Sequence, residues 1–349
     1  MIKKDLRSLY YEELKEEIEA IGEKSFRAKQ IYPFVFRGIR SLREIGNIPK
    51  TLIEKLEERC FFSKTEIFQA LRSKLDGTRK YLFELGDGHI VEGVLMEYRH
   101  GYSVCISSQV GCRMGCGFCA STIDGLARNL TAGEMIGQIL AIEEDLGGRI
   151  SNIVLMGSGE PLDNFDQLLR FLRVVHQEEG LNIGYRHITV STCGIVPKIY
   201  ELAELGMPIN LAVSLHETDR KKRAQLMPVE KAYSTPSLLE AARAYAEKSG
   251  RRVTFEYALI RGVNDDADTA RELAALLRGM LCHVNLIPLN PVEERSYRAS
   301  ETRSVEGFKN ILKRAHIETT VRRQMGRDIR GACGQLRRRV MTEEKKVTP

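Results

Sequence analysis

Between Tyr102 and Leu289 an apolar strand pattern alternates with an amphipathic helix pattern, and that alternation restricts the chain to a largely parallel sheet with covering helices. The strand segments are YSVCISS, NIVLMG, HITVST, NLAVSL, VTFEYALI and HVNLIPL. The helices between them include TAGEMIGQILAIEE, NFDQLLRFLRVVHQ, STPSLLEAARAYAEK and DADTARELAALLRG, which carry apolar residues at three- and four-residue spacing. Six such units form either a partial βα barrel or an open doubly wound sheet, and periodicity does not choose between them. Both architectures gather ligands at the C-terminal ends of their strands.

Upstream the pattern is different. Residues 1–60 read as helical, through YYEELKEEIEAIGEK and SFRAKQIYPFVFRGI. Residues 66–97 read as a β-meander whose short strands are parted by Asp76-Gly77 and Asp87-Gly88, a pair type that favours hairpins. With 43% hydrophobic residues in 349 the chain can bury a substantial core. No stretch is apolar enough to span a bilayer, and the N-terminus mixes both charges with no apolar h-region, so a cytoplasmic protein without membrane contact is expected. The net charge of +6 is modest, but Arg322, Arg323, Arg327, Arg330, Arg337, Arg338 and Arg339 crowd the C-terminus. Such a cluster attracts polyanions, or is simply the solvated face of a helix.

Eight cysteines are present, and clustered cysteines in a reducing compartment point to metal or redox chemistry. Cys60, Cys193 and Cys282 stand apart and read as small buried hydrophobes. Cys112, Cys116 and Cys119 form a CxxxCxxC triplet in GCRMGCGFCAS, just after the first strand of the repeat. Thiolates bind soft metals and iron–sulfur clusters. A structural zinc site wants four ligands, and a fourth at matching spacing is missing. Three cysteines on a four-iron cluster leave one iron open to a substrate; zinc or buried thiols are the alternatives. A second polar feature, MGSGEPLDN at 156–164, follows the second strand. It holds a GxG, but Glu160-Pro161 stand where a dinucleotide-binding turn needs a further glycine. Later strand ends carry Ser191, then Ser214-Leu215-His216, then Asn290, which together would line one pocket.

The triplet, with Phe118 before its last cysteine, resembles the radical S-adenosylmethionine superfamily. That resemblance implies a partial (β/α)6 TIM-like barrel, a [4Fe-4S] cluster on Cys112, Cys116 and Cys119, and S-adenosylmethionine. It makes Gly159-Glu160 the pair that receives the amino group of the methionine moiety, a carboxylate being the natural partner of an ammonium. It adds Ser191, Ser214, Leu215, His216 and Asn290 as cofactor-binding positions. Two further cysteines narrow the resemblance: Cys105 in SVCISSQVGC and Cys333 in GRDIRGACGQL. With VEGVLM, ARNLTAGEMIGQI, VNLIPLNP and the N-terminal FRAKQIY, they are similar to the RlmN/Cfr family over roughly residues 5–340. The chain departs from that family's pattern in SLHETDR, at Gly331 and in VEERSYRAS after Asn290-Pro291; the last of these bears on RNA contacts.

The resemblance implies four parts: an RNA-binding helical accessory domain at 1–62, a β extension at 63–100, the barrel at 101–325, and a C-terminal segment at 326–349 with the basic tail. It implies a methyltransferase that makes 2-methyladenosine in 23S rRNA at adenine 2503, and in tRNA at adenine 37. Cys333 would take a methyl from one S-adenosylmethionine. A 5′-deoxyadenosyl radical from a second would remove hydrogen from that methyl, and the methylene radical would add to adenine C2. Glu92 would accept the C2 proton, and Cys105 would release the product by forming a disulfide with Cys333. Without the resemblance, Glu92 reads as an outward strand carboxylate. A flavodoxin-type or other reductant and a monomeric state are further expectations. The rivals are a Cfr-like enzyme acting on C8 of the same adenine, a radical activase or maturase, and a non-catalytic iron–sulfur or zinc RNA-binding module.

Overall fold

A computed structural model describes residues 2–99, 101–292 and 294–329. A short strand β1 (Lys4–Asp5) leads into three helices, α1 (Tyr11–Ala20), α2 (Arg27–Val35) and α3 (Lys50–Arg59), and β2 (Cys60–Phe61) returns to pair parallel with β1. The meander follows as β3 (Thr65–Arg72), β4 (Arg79–Leu85) and β5 (Ile90–Tyr98), with antiparallel pairing that continues to β6 (Gly101–Cys105). The two Asp-Gly turns sit where expected. Gly77 at φ +72° and Gly88 at φ +80° adopt the left-handed conformation that such turns need.

A two-stranded hairpin comes next, β7 (Gln109–Gly111) with β8 (Leu126–Asn129). Then α4 (Ala132–Leu146), β9 (Asn152–Leu155), α5 (Phe165–His176), β10 (Ile188–Thr192), α6 (Val196–Glu204) and β11 (Asn210–Ser214) alternate. The series ends with α7 (Arg220–Leu226), α8 (Thr235–Ser249), β12 (Val253–Leu259), α9 (Ala267–Leu276), β13 (Cys282–Pro288), α10 (Thr302–Arg314) and β14 (Glu318–Val321).

Ten strands form one sheet in the order β14-β13-β12-β11-β10-β9-β6-β5-β4-β3. From β6 to β14 every neighbour is parallel, as the alternation requires. The six expected strands are all present, and β14 adds a seventh. The edge strands β3 and β14 do not pair with each other, so among the described residues the barrel is partial. The meander is not a separate sheet; β5 pairs with β6 and extends the barrel sheet at one edge.

Side-chain alternation divides the sheet into two faces. Tyr81, Phe83, Val91, Leu95, Val104, Ile153, Val190, Val213, Phe255 and Leu286 join the core formed with the helices. Their sequence neighbours point to the opposite, inner face. No helix among the described residues is long and apolar enough to cross a membrane. Arg322 and Arg323 lie exposed after β14 in a non-helical stretch, so for these two the helix-face reading does not hold, whereas Arg327, also exposed, opens a single 3-10 turn (Arg327–Ile329). Cys60 and Cys193 are buried as expected, whereas Cys282 is half-buried.

Candidate functional site

The segment after β6 and the segment after β9 are laced together by backbone. The Ser107 hydroxyl donates to the Glu92 carbonyl at 2.7 Å and accepts from the Ser158 N–H at 2.9 Å. The N–H groups of Ser108 and Gln109 both donate to the Ser158 carbonyl, at 2.9 and 3.1 Å. A Cβ on Gly157 would stand 2.6 Å from the Ile106 carbonyl oxygen, and one on Gly159 would stand 2.6 Å from Gln109 Cβ. These contacts explain the local sequences ISSQVG and MGSGE: each supplies small residues where the other approaches.

Glu160 sits at the centre of this arrangement and is buried. Its Oε2 accepts from the Cys193 N–H at 2.7 Å and its Oε1 from the Leu162 N–H at 3.0 Å. Burial pushes its pKa up, and the backbone donors only partly offset that. No Lys, Arg or His among the described residues forms an ion pair with it. A buried carboxylate lacking a cation, at a strand end, is a cradle for an ammonium group.

The three clustered cysteines occupy the loop between β7 and β8. The hairpin closes the base of the loop, with the Cys112 N–H donating to the Gly125 carbonyl at 2.9 Å. Inside it, the Thr122 hydroxyl contacts the carbonyls of Cys116 and Cys119, both at 3.0 Å. Cys112 and Cys116 are buried and Cys119 is half-buried. Burial raises the Cys112 thiol to about 12 and the Cys116 thiol further, with Cys119 and Glu160 adding to both. The three sulfurs and Glu160 are therefore one electrostatic neighbourhood. Among the described residues no three His, Cys, Asp or Glu side chains converge on a point as a single ion would need. Three thiols that each take a different iron of a cluster need no such convergence. The donor set thus fits a cluster, and Glu160 beside it fits the amino group of S-adenosylmethionine.

The cysteine loop is braced from two sides, by Arg223, which was not anticipated from sequence, and by the expected His216. Arg223 on α7 is 0% exposed. Its guanidinium donates to the carbonyls of Leu215 (3.0 Å), Ser214 (3.2 Å) and Cys193 (3.2 Å), and pairs with Glu230 at 2.7 Å. At the end of α7 the Leu226 carbonyl accepts from the Gly117 N–H at 2.8 Å. From the other side His216, at φ +58°, packs edge-on against Phe118 with ring centroids 4.9 Å apart. The His216 Nδ1 accepts from the Ala258 N–H at 2.9 Å, which puts the proton of the neutral ring on Nε2. The Asn264 amide in turn donates to the His216 carbonyl at 2.6 Å.

The inner face carries the remaining expected residues. Register joins Lys80 to Val94 and Val94 to Cys105, then Cys105 to Val154 and Val154 to Thr189. Paired residues share a face, so Glu92, Cys105, Ser191 and Ser214 all point inward with Glu256 and Asn285. Glu92 is 2% exposed, which corrects the reading of it as an outward carboxylate. Its Oε2 lies 3.4 Å from the Nζ of Lys80, itself 0% exposed. The Leu215 side chain belongs to the helix-side core, so only its backbone can meet a ligand. Asn290 is exposed beyond β13. Cys333 lies outside the described residues. Sequence reasoning also passed over Lys80, Gln109, Glu256 and Asn264; a lone Lys or Asn carries no local mark of burial.

The model of the radical SAM superfamily matches residues 106–274, and that of the ribosomal RNA large subunit methyltransferase N-terminal domain matches residues 4–62. A probable dual-specificity RNA methyltransferase RlmN of Alkaliphilus oremlandii (strain OhILAs) is 57% identical over 97% of this chain and 99% of its own. The protein of that name from Alkaliphilus metalliredigens (strain QYMF) is 55% identical over 99% of this chain and 98% of its own. The crystal structure of a radical SAM methyltransferase from Sphaerobacter thermophilus superposes with a TM-score of 0.91 at 43% identity, covering 95% of this chain and 98% of that one. With both domain models matched in order and identity above half along nearly its whole length, the chain belongs to the RlmN family of radical S-adenosylmethionine enzymes.

Proposed function

We propose that the protein methylates C2 of an adenine in RNA, adenine 2503 of 23S rRNA and adenine 37 of tRNA, with Cys333 as the methyl carrier. The observation that carries this reading is the common inward aim of Glu92 and Cys105, on strands whose continuation is tied through Ser107, Ser158 and Gln109 to the segment that carries Glu160. Adenine C2 is electron-poor and is a poor nucleophile toward a methyl sulfonium, so polar displacement is unsuited to it. The cluster and S-adenosylmethionine, when bound, supply the 5′-deoxyadenosyl radical that this carbon requires.

The chain's own residues do the rest. Cys112, Cys116 and Cys119 would hold the cluster, and Glu160 would receive the methionine ammonium. Ser191, Ser214, the backbone at Leu215 and His216, and Asn290 would line the cofactor's remaining edge. Glu92 would take the C2 proton, and Cys105 would form the disulfide with Cys333 that frees the product, two electrons then being needed to reset it. Two anchors support a tail that reaches this face. The Gly326 N–H donates to Asp76 at 2.8 Å, and Asp328 accepts from the Ser73 hydroxyl at 2.6 Å and the Lys74 N–H at 2.8 Å. They tie the chain to the β3–β4 hairpin five residues before Cys333. The helical module of residues 1–62 would grip RNA, and the target base would be splayed out of its fold to enter. A flavodoxin-type reductant, a monomer and a cytoplasmic setting complete the reading.

The test is anaerobic reconstitution of wild type and Cys333→Ala, incubated with reductant, S-adenosylmethionine and a 23S rRNA fragment or a tRNA, then mass spectrometry of the digested RNA. Wild type should yield 2-methyladenosine and Cys333→Ala none. 8-Methyladenosine would move the protein to the Cfr branch, and 5′-deoxyadenosine without methylated RNA would overturn the proposed substrate.

A further inference from the structure

The sheet buries one more pair of opposite charges, and nothing in the reaction described above uses its cationic half. Lys80 on β4 and Glu92 on β5 lie diagonally on the inner face, since Lys80 pairs with Val94 and Leu82 with Glu92. At 0% and 2% exposure both have left bulk water, and their charged atoms stand 3.4 Å apart. A pair this deeply buried contributes little net stability, because desolvation consumes the Coulomb gain; apolar residues of the same volume would often serve the fold as well. Its position suggests another use. Lys80, Val94 and Cys105 stand in one row across three strands, and Glu92 flanks that row.

We propose that Lys80 is the positioning residue of Glu92, holding its carboxylate as the anion and fixing its aim until it receives the proton of the target base. This rests on the reading of Glu92 as the proton acceptor. In the step concerned the C2–H bond breaks, its electron pair stays on the base, and the proton goes to a Glu92 oxygen. Glu92 passes from charged to neutral while Lys80 keeps its own protons. Without Lys80 the carboxylate would lose the cation seen across the strand, and burial disfavours a carboxylate's charged form, the form that serves as the base.

Other titratable groups lie on this face among the described residues, including Glu66 on β3, which pairs with Glu84 in register and lies 3.6 Å from Lys64. Cys105 on β6 follows in the row. Glu84, farther along β4, is half-buried and paired with Lys64 at 3.0 Å. Glu256 on β12 accepts from the Asn285 amide at 2.9 Å and feels the charge of Arg322. The Ser107 hydroxyl bonds Glu92 at its backbone carbonyl. Among the described residues, Lys80 stands across the strand from the carboxylate as an ion-pair partner at 3.4 Å.

Full-length, cluster-reconstituted wild type, Lys80→Met, Lys80→Gln, Lys80→Arg and Glu92→Gln are compared in single turnover on a 23S rRNA fragment from about pH 6.5 to about pH 9. Lys80→Met and Lys80→Gln should still form 5′-deoxyadenosine. At neutral pH they should release methylated RNA about tenfold or more slowly, accumulate a covalent protein–RNA adduct, and recover as pH rises; Lys80→Arg should restore most of the rate. In the cluster-free chain, the urea midpoint of Lys80→Met should gain on wild type as pH falls from about 8 to about 6, and Lys80→Met/Glu92→Gln should not show that gain. A pH profile parallel to wild type, absence of adduct, or loss of 5′-deoxyadenosine in both Lys80→Met and Lys80→Gln would overturn the proposal. If Glu92→Gln itself turns over at the wild-type rate without adduct, the reading of Glu92 falls; if Glu92→Gln fails while the Lys80 variants do not, only the role of Lys80 falls.

Discussion

Glu160 and Arg223 grip the same residue from opposite sides. The Glu160 carboxylate accepts the Cys193 N–H at 2.7 Å, and the Arg223 guanidinium donates to the Cys193 carbonyl at 3.2 Å. The turn after β10 is thereby fixed by one buried anion and one buried cation. Because α7 also ends on the Gly117 N–H, the same brace reaches the cysteine loop.

Arg223 and Glu230 form the most buried ion pair of this brace. Burial disfavours the Glu230 anion, but donors from Arg220, Thr235 and Arg223 outweigh it and hold its pKa below the ordinary value. Glu230→Gln, which leaves Arg223 buried with a neutral partner, is expected to cost about 3 kcal/mol in urea unfolding. Arg223→Met/Glu230→Met should recover a large part of that loss. Additive losses in the double variant would mean that the two charges act independently.

Gly157 and Gly307 should respond in opposite directions to alanine. At Gly157 the new methyl meets the Ile106 carbonyl and the Ser107 N at 2.6 and 2.7 Å, and backbone cannot step aside cheaply. A loss of about 1–3 kcal/mol is expected, with weaker S-adenosylmethionine binding. Gly307 lies exposed in α10 with nothing near its Cβ, so alanine should add about 0.5–1 kcal/mol. Thermal unfolding of the two variants checks both signs.

His216 makes the fold acid-sensitive. Burial, with a smaller contribution from Arg223, lowers its pKa to about 3. The folded chain then keeps the ring neutral where the unfolded chain protonates it. Its contribution is complete above about pH 6.5 and is lost as pH falls toward about 3. Between pH 7 and pH 5 the loss should be about 2 kcal/mol more in wild type than in His216→Gln. Urea midpoints at the two pH values test this; equal slopes would show that the ring titrates freely in the folded state.

Glu160→Gln keeps an acceptor for the Cys193 N–H but removes the charge. S-Adenosylmethionine binding, measured by equilibrium dialysis on the reconstituted chain, should weaken by about 10- to 100-fold, the worth of a charged hydrogen bond. S-Adenosylhomocysteine should weaken in parallel, since it carries the same ammonium. Unchanged binding of both would remove Glu160 from the site.

The strand–helix alternation was legible because side-chain period is a local property of the chain. So was the cysteine triplet, since its three thiols fall within eight residues on one loop. The Asp-Gly hairpins were equally local. The inner-face set was legible only in part. Ser191 and Ser214 announce themselves at strand ends, but Glu92 looked like any exposed strand carboxylate until register turned it inward. Lys80 and Arg223 resemble surface cations in sequence. What makes them otherwise is the removal of water by elements far along the chain, and hydrogen bonds that close only when β4, β5, α7 and the strand ends meet. The sequence by itself therefore determined the fold class, the cysteine loop and the family. The tertiary structure decided which charges are buried and what they face, because desolvation and register are properties of packed strands rather than of any one segment.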